Sequence, residues 1–268
     1  MHTSINAYFR QRMIIATYNI NNINKRLPLL LNWLAQRKPD IVCLQELKAA
    51  QFAFPEEELK AAGYNAIWNG QKSWNGVAIL ARNMEIQELR RTLPGDEKDT
   101  HSRYIEAIIN KIVIGCIYLP NGNPWPGPKF GYKLKWFERL RQHAAYLYQY
   151  DVPVILAGDF NVMPTELDVY KPKKYIDNAL YRPETKTAFQ KILQQGWTDA
   201  VRTLHPKTPE YTFWSYLRNA FERDAGLRLD FFLLSPHITP RLKKCGVDRE
   251  VRAAKNTSDH APVWIKIK

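Results

Sequence analysis

The apolar segments of this chain are short, and what separates them differs from one pair to the next. "YIEAIIN" (104–110) and "IVIGCIYL" (112–119) follow each other across Asn110-Lys111, the spacing of a tight hairpin. "MIIATYN" (13–19) and "DIVCLQE" (40–46) are instead separated by residues 24–38, "NKRLPLLLNWLAQRK". There Leu30, Trp33 and Leu34 recur at helical intervals, which predicts a helix with those three inward. Hairpins make antiparallel neighbours, whereas helical connections allow parallel ones. A chain holding both cannot be a purely parallel doubly wound sheet, and an α/β architecture with two sheets is expected.

The remaining pattern extends this reading. "GVAILAR" (76–82), "VPVILAGDFN" (152–161), "RLDFFLLS" (228–235) and the terminal "APVWIKIK" are predicted strands. In the last, Val263, Ile265 and Ile267 alternate, and Pro262 stands at the start, where a strand tolerates it. Helices are predicted at 55–62, closed by Gly63, at 132–150 and at 185–195. No linker and no internal repeat interrupts the series, so residues 13–268 are expected to form one domain. Residues 1–12 lack periodicity and an apolar core for a secretory signal, and are expected to be a ragged extension.

Of 268 residues, 45% are hydrophobic and 24% charged, which suits a large folded core and not a disordered chain. The 39 Lys and Arg against 26 Asp and Glu leave a net charge of +13, spread along the chain. A surface this basic points to a polyanionic partner, nucleic acid foremost. Cys43 and Cys116 sit inside apolar runs and read as small buried hydrophobes; with Cys245 they show no zinc spacing and no disulfide framework. A reducing cytoplasm is expected. No apolar run nears the ~18 residues of a membrane span, so no membrane role is expected.

Polar side chains fall where the apolar runs stop. Asn19 ends the first strand, Asp40 and Glu46 bracket the second, Asp159 and Asn161 end "VILAGDFN", Asp230 opens "LDFFLL", and Asp259-His260 precede the last strand. Carboxylates and amides are hard oxygen donors, suited to magnesium or manganese and not to zinc. Such a cation can polarise a phosphoryl oxygen, a separate carboxylate can prepare a water, and an imidazole paired with an acid can offset charge.

"TYNIN", "DIVCLQE", "YLPNGNP", "GDFNV", "YTFWSYLRNAFERDAGLRLDFFL" and "SDHAPV" occur in that order. Together, over residues 13–268, they resemble the exonuclease III family of abasic-site endonucleases, within the endonuclease/exonuclease/phosphatase superfamily. The resemblance implies a four-layer α/β sandwich, two packed, mostly antiparallel mixed sheets flanked by helices. It implies a magnesium-dependent phosphodiesterase, manganese substituting, that cuts duplex DNA 5′ to abasic sites, cleans blocked 3′ ends and digests from 3′ ends. A monomer is expected. Glu46 would be the principal metal ligand, Asp40 a second or transient one, with Asn19 and Asp259 completing the surroundings. Asp159 would prepare the water, Asn161 contact the scissile phosphate, and His260, paired with Asp230, bind that phosphate. Tyr118 would donate to it or support the leaving group, with Asn121 close by. Phe213, Leu227 and Leu229 would line a pocket for the extruded sugar. The chain departs from some relatives at Asp224, at Leu227, where they carry Trp, and at Pro124, where they carry Arg.

Three loops mix basic and aromatic residues, "KSWNG", "NPWPGPKFGYK" and "WSYLRNAFERDAGLR". Lys129, Lys133, Arg218 and Arg228, with Arg103, are candidate phosphate contacts of the kind that position a duplex without reading its sequence, and Trp74 is a candidate to press into a groove or stack. Two other classes compete with the nuclease. A superfamily phosphatase acting on inositol phosphates or sphingomyelin is opposed by the basic charge and the "YTFWSY…GLRLD" segment. A DNA-binding protein with a dead site is opposed by the full set of acids, Asn and His.

Overall fold

A computed structural model describes residues 12–268; most of the expected N-terminal extension lies outside the described residues. Two six-stranded sheets pack face to face. The first holds β1 (Met13–Asn19), β2 (Ile41–Gln45), β3 (Tyr64–Asn69), β4 (Val77–Arg82), β11 (Leu242–Val247) and β12 (Val263–Ile267), in the order β11-β12-β1-β2-β4-β3. The second holds β5 (Gln87–Arg90), β6 (Tyr104–Ile109), β7 (Ile112–Tyr118), β8 (Val154–Asp159), β9 (Thr198–Asp199) and β10 (Asp230–Leu234), in the order β5-β6-β7-β8-β10-β9. Each sheet has one parallel pair at its centre, β1–β2 and β7–β8, and every other pairing is antiparallel.

Period-two alternation builds the layers. In β1 and β2, Ile15, Ile41 and Cys43 face the second sheet, while Ala16, Val42 and Leu44 face outward. The outward set is covered by α1 (Ile23–Arg37) through Leu30, Trp33 and Leu34, the three residues expected inward. On the far side, Trp136, Phe137 and Leu140 of α3 (Pro128–Tyr148) cover Tyr104, Ile117, Leu156 and Phe231. The remaining helices are α2 (Glu56–Ala61), α4 (Pro183–Leu193), α5 (Ala200–Leu204) and α6 (Arg249–Ala253). The result is the expected four-layer α/β sandwich. Among the described residues no helix is long and apolar enough to cross a membrane.

The hairpin across Asn110-Lys111 forms, both turn residues taking the left-handed backbone such turns need. Four strands are absent from the sequence reading: β3, β5, β9 and β11. β3, β5, β9 and β11 are the sheet edges, with side chains largely exposed or half-buried, so their apolar period is weak. α3 also begins at Pro128, four residues before its predicted start; proline there reads as loop but is preorganised for a first helical turn.

Candidate active site

The topology gathers the strand ends. β1 and β2 run together and finish side by side, Asn19 opposite Gln45, so Glu46 emerges beside Asn19. β7 and β8 likewise finish with Tyr118 opposite Asp159. β10 is antiparallel to β8, so its first residue, Asp230, faces Asp159. β12 is antiparallel to β1, which brings Ser258-Asp259-His260, just ahead of it, to the same end. C-terminal ends of parallel strands and N-terminal ends of their antiparallel neighbours therefore meet at one mouth.

Asn19 Nδ2 stands 3.0 Å from both Glu46 Oε1 and Asp159 Oδ2, joining the sheets. Tyr118 OH donates to Glu46 Oε1 at 2.8 Å. His260 Nδ1 lies 2.8 Å from Asp230 Oδ2, to which Thr212 Oγ1 donates at 2.6 Å. The other ring nitrogen, Nε2, lies 3.8 Å from Asp159 Oδ2. Asn161 donates its backbone N–H to Asp159 Oδ1 at 2.9 Å, and Asn121 Nδ2 donates to Asn161 Oδ1 at 3.1 Å. Glu46 (φ 52°), Lys48 (φ 49°), Asn21 (φ 48°) and Asn161 (φ 46°) all hold the left-handed backbone. Such strain costs ~1–3 kcal/mol at each residue and concentrates at functional sites. At Glu46 and Lys48 it is held by hydrogen bonds from Leu47 and Lys48 N–H to Gly76 and Asn75 carbonyls.

Burial and charge divide the titratable groups. Burial, assisted by Asp230 and opposed by His260, lifts the Asp159 carboxyl to about 7. Burial works against the His260 imidazolium, but Asp230, Asp159 and Asp259 outweigh it and lift the ring to about 10. Burial also opposes ionisation of Glu46, yet Lys48, Asn19 and Tyr118 hold it below the usual carboxylate value. Burial, then Glu46, push the Tyr118 phenol well up, so it remains a donor.

The donor set fits a hard cation. Glu46 Oε2 and Asn21 Oδ1 already converge on one positive charge, the Lys48 ammonium, at 2.8 and 2.7 Å. Asn21 Nδ2 in turn donates to Asp259 Oδ1 at 3.0 Å. Two carboxylates and two amides in this cluster suit magnesium or manganese, which keep waters and need few protein ligands. Among the described residues no three His, Cys, Asp or Glu are placed to hold a metal ion by themselves, so amide oxygens are needed to complete such a set.

Three candidates do not belong here. Asp40 precedes β2 and Glu46 follows it, six residues apart along an extended chain, so the two stand about 20 Å apart at opposite ends of the sheet. Asp40 instead accepts from Ile14 N–H at 2.7 Å and pairs with Arg82 at 2.6 Å. Bracketing a strand separates two side chains; it does not unite them. Arg228 is 1% exposed and its guanidinium pairs with Asp168 at 2.7 Å and Asp199 at 2.8 Å, so it is interior and cannot reach DNA. Lys133 is also buried, donating to the carbonyls of Pro120, Asn121 and Asn161 and bracing that loop beneath the site.

The other surface candidates face outward. Trp74, Arg103 and Lys129 line one cleft with Tyr118 and Asn121, of about 610 Å3, and the Arg103 guanidinium lies 4.7 Å from the Tyr118 ring centroid. Arg218 is exposed on its loop. Phe213 sets its edge 5.0 Å from the His260 ring. Leu227 and Leu229 gather with it, both buried, in a cluster that also holds Phe130, Met163 and Leu180. Asn21, Lys48 and Thr212 were absent from the sequence reading. Asn21 carried a signal: it is the second Asn of the "NIN" that ends the first strand. Thr212 and Lys48 carried none, because their partners are distant in sequence or adopt an uncommon turn.

The family description "Endonuclease/Exonuclease/phosphatase family" matches residues 16–260. Exodeoxyribonuclease III of Haemophilus influenzae is 30% identical, the match covering 96% of this chain and all of that protein. The structure of an AP endonuclease from Archaeoglobus fulgidus superposes with a TM-score of 0.92 at 35% identity, covering 96% of this chain and 99% of that one. A 3′-5′ exonuclease (NExo) from Neisseria meningitidis gives 0.93 at 38% identity, covering 96% and 100%. NExo from Neisseria has also been seen, as a 3′ phosphatase, bound to a product DNA hairpin, with a TM-score of 0.92 at 37% identity over 96% and 99%.

Proposed function

This chain belongs to the endonuclease/exonuclease/phosphatase family, and from that premise we propose that it is a metal-dependent DNA-repair phosphodiesterase. Its substrates are abasic sites in duplex DNA, cut on the 5′ side, and 3′ ends that are blocked or unblocked. The observation that carries the reading is the single network of Glu46, Asn19, Asp159, His260 and Asp230 spanning both sheets. The names and DNA-bound form of the similar proteins support the substrate class.

Each residue's environment assigns its work. Asp159, whose carboxyl sits at about 7, is matched to take a proton from an attacking water near neutral pH. His260, held charged to about 10, is a donor and not a base; its Nε2 binds the scissile phosphate and offsets the charge that grows there. Asp230, itself bonded by Thr212, fixes the ring through Nδ1. Asn161, held by Asn121 and by the Leu119 carbonyl, positions the same phosphate. Tyr118 remains protonated and donates on the leaving side. Glu46, Asn21 and Asp259 would hold magnesium or manganese, which supplies a Lewis acid for the phosphoryl oxygen and the departing oxyanion.

The test is a labelled duplex carrying one abasic analogue and a second with a 3′-phosphate, each incubated with magnesium and with chelator. Metal-dependent cutting and 3′ cleaning are expected. Intact DNA under both conditions, with hydrolysis of a soluble inositol phosphate instead, would replace the nuclease by a small-molecule phosphatase.

A further inference from the structure

Beside the mouth of the site lies a pocket of about 390 Å3 whose charges are all of one sign. Lys25, Arg26, Tyr216, Arg252, Asn256 and Thr257 line it. Arg26 is 6% exposed and Arg252 8% exposed. Arginines this buried are ordinarily paired with a carboxylate, as Arg228 is here. These two are not. Arg26 donates one N–H to Tyr216 OH at 3.1 Å, and Arg252 donates one to the Trp214 carbonyl at 2.8 Å. Arg252 also lies 5.2 Å from the ring centroids of Tyr216 and Phe221, which softens its charge without neutralising it. Among the described residues the Nε of each has no hydrogen-bond partner.

The local helix deepens the imbalance. Lys25 and Arg26 occupy the first turn of α1, which contains no acid. A helix N-terminus is already electropositive and favours anions, so two cations there are unfavourable unless an anion joins them. Arginine supplies a planar fork of donors suited to phosphate oxygens.

Tyr216 ties the pocket to the reaction centre. Its hydroxyl accepts from Arg26, donates to the Thr257 carbonyl at 2.8 Å, and lies 3.4 Å from Asn21 Nδ2, the group that bonds Asp259. We infer that Lys25, Arg26, Arg252 and Tyr216 form an anion subsite for a phosphate group next to the one being cleaved. The inference rests on the nuclease reading. The phosphate belongs to the bound strand's backbone, or it is a free phosphate, and the chemistry of recognition is the same. Because Tyr216 touches both Arg26 and Asn21, a phosphate held here fixes the strand's register against the catalytic groups.

Three measurements on the full chain test it. First, wild type is assayed on abasic duplexes carrying one neutral methylphosphonate at successive positions around the lesion. One position is expected to lower kcat/KM about ten- to a hundredfold, the loss of a charge-assisted contact. Second, Arg26→Gln and Arg252→Gln are assayed on the same set. Each should lose a similar factor on unmodified DNA and lose nothing more at that one position, the non-additivity of groups that touch. Should either variant melt below the assay temperature, Lys25→Gln, at an exposed position, takes its place. Third, the melting temperature is followed with inorganic phosphate. A rise in wild type that the variants lack, without a coupled methylphosphonate position, makes the ligand free phosphate. Additive losses at every position together with no phosphate-dependent rise overturn the subsite while leaving the nuclease in place. Failure of wild type to cut any duplex overturns the nuclease reading itself.

Discussion

Asp159 and Asp230 are register partners across β8 and β10, and both acids address one imidazole, at 3.8 Å from Nε2 and 2.8 Å from Nδ1. The shorter contact makes His260 a lasting cation. The longer one leaves Asp159 near the middle of its own titration. One antiparallel pairing thus separates the two acids into a holder of the ring and an acceptor of protons.

The first prediction follows from that separation. Asp159→Asn keeps the shape and removes the acceptor, so kcat should fall by at least ~10²-fold with little change in KM. The same change should stabilise the metal-free fold. The Asp159 carboxyl is raised from 3.8 to about 7, so ionising it costs the folded state more than the unfolded one. That penalty is absent below about 4, grows as pH rises, and is complete above about 7. Melting in chelator should show the variant gaining on wild type across that window, by a few kcal/mol at most. Equal melting points at pH 8 would mean that Asp159 carries no such burden.

Glu46 and Asp40 should separate cleanly. Glu46→Gln should abolish the response of the rate to added magnesium. Asp40→Ala should leave that response intact, because its carboxylate bonds Ile14 N–H and Arg82 at the far end of the sheet. Its cost should be in stability, ~1–3 kcal/mol for an orphaned backbone donor, read as a lowered melting temperature.

Arg228 and Lys129 should part in the same way on binding. Arg228→Met breaks a pair 1% exposed and should cost about 3–5 kcal/mol of stability. Lys129→Ala should melt normally and reduce the slope of log affinity against log salt by about one. An unchanged slope would remove Lys129 from the DNA surface.

Leu227→Trp should behave as overpacking. Leu227 is 4% exposed among Met163, Val169, Leu180 and Leu229, so the extra volume of an indole has to displace packed neighbours. A loss of ~1–3 kcal/mol is expected, with exonuclease and abasic-site rates falling together. A selective loss of the exonuclease rate at an unchanged melting temperature would instead mean that Leu227 lines the sugar pocket.

The sequence by itself determined the layers and most of the chemistry. The unbroken apolar runs "IVCLQE" and "IVIGCIYL" require strands covered on both faces, and helical spacing of Leu30, Trp33 and Leu34 requires a cover. The ordered motifs gave Glu46, Asp159 and His260 their roles through the family resemblance, and a carboxylate or imidazole at the end of a buried run is in any case costly without a partner. What the sequence could not carry was which end of a strand faces the mouth. Asp40 and Glu46 flank the same apolar run, and only the strand directions send one to the site and the other about 20 Å away. Solvent access was equally hidden: Arg228 and Arg218 are alike in a basic loop, yet one is 1% exposed and the other lies open. Asp168 and Asp199 decide that, and they come from segments about 60 and 29 residues away. Local pattern fixes which side chains a segment offers. Long-range pairing, which depends on the whole chain's packing, fixes which of them meet.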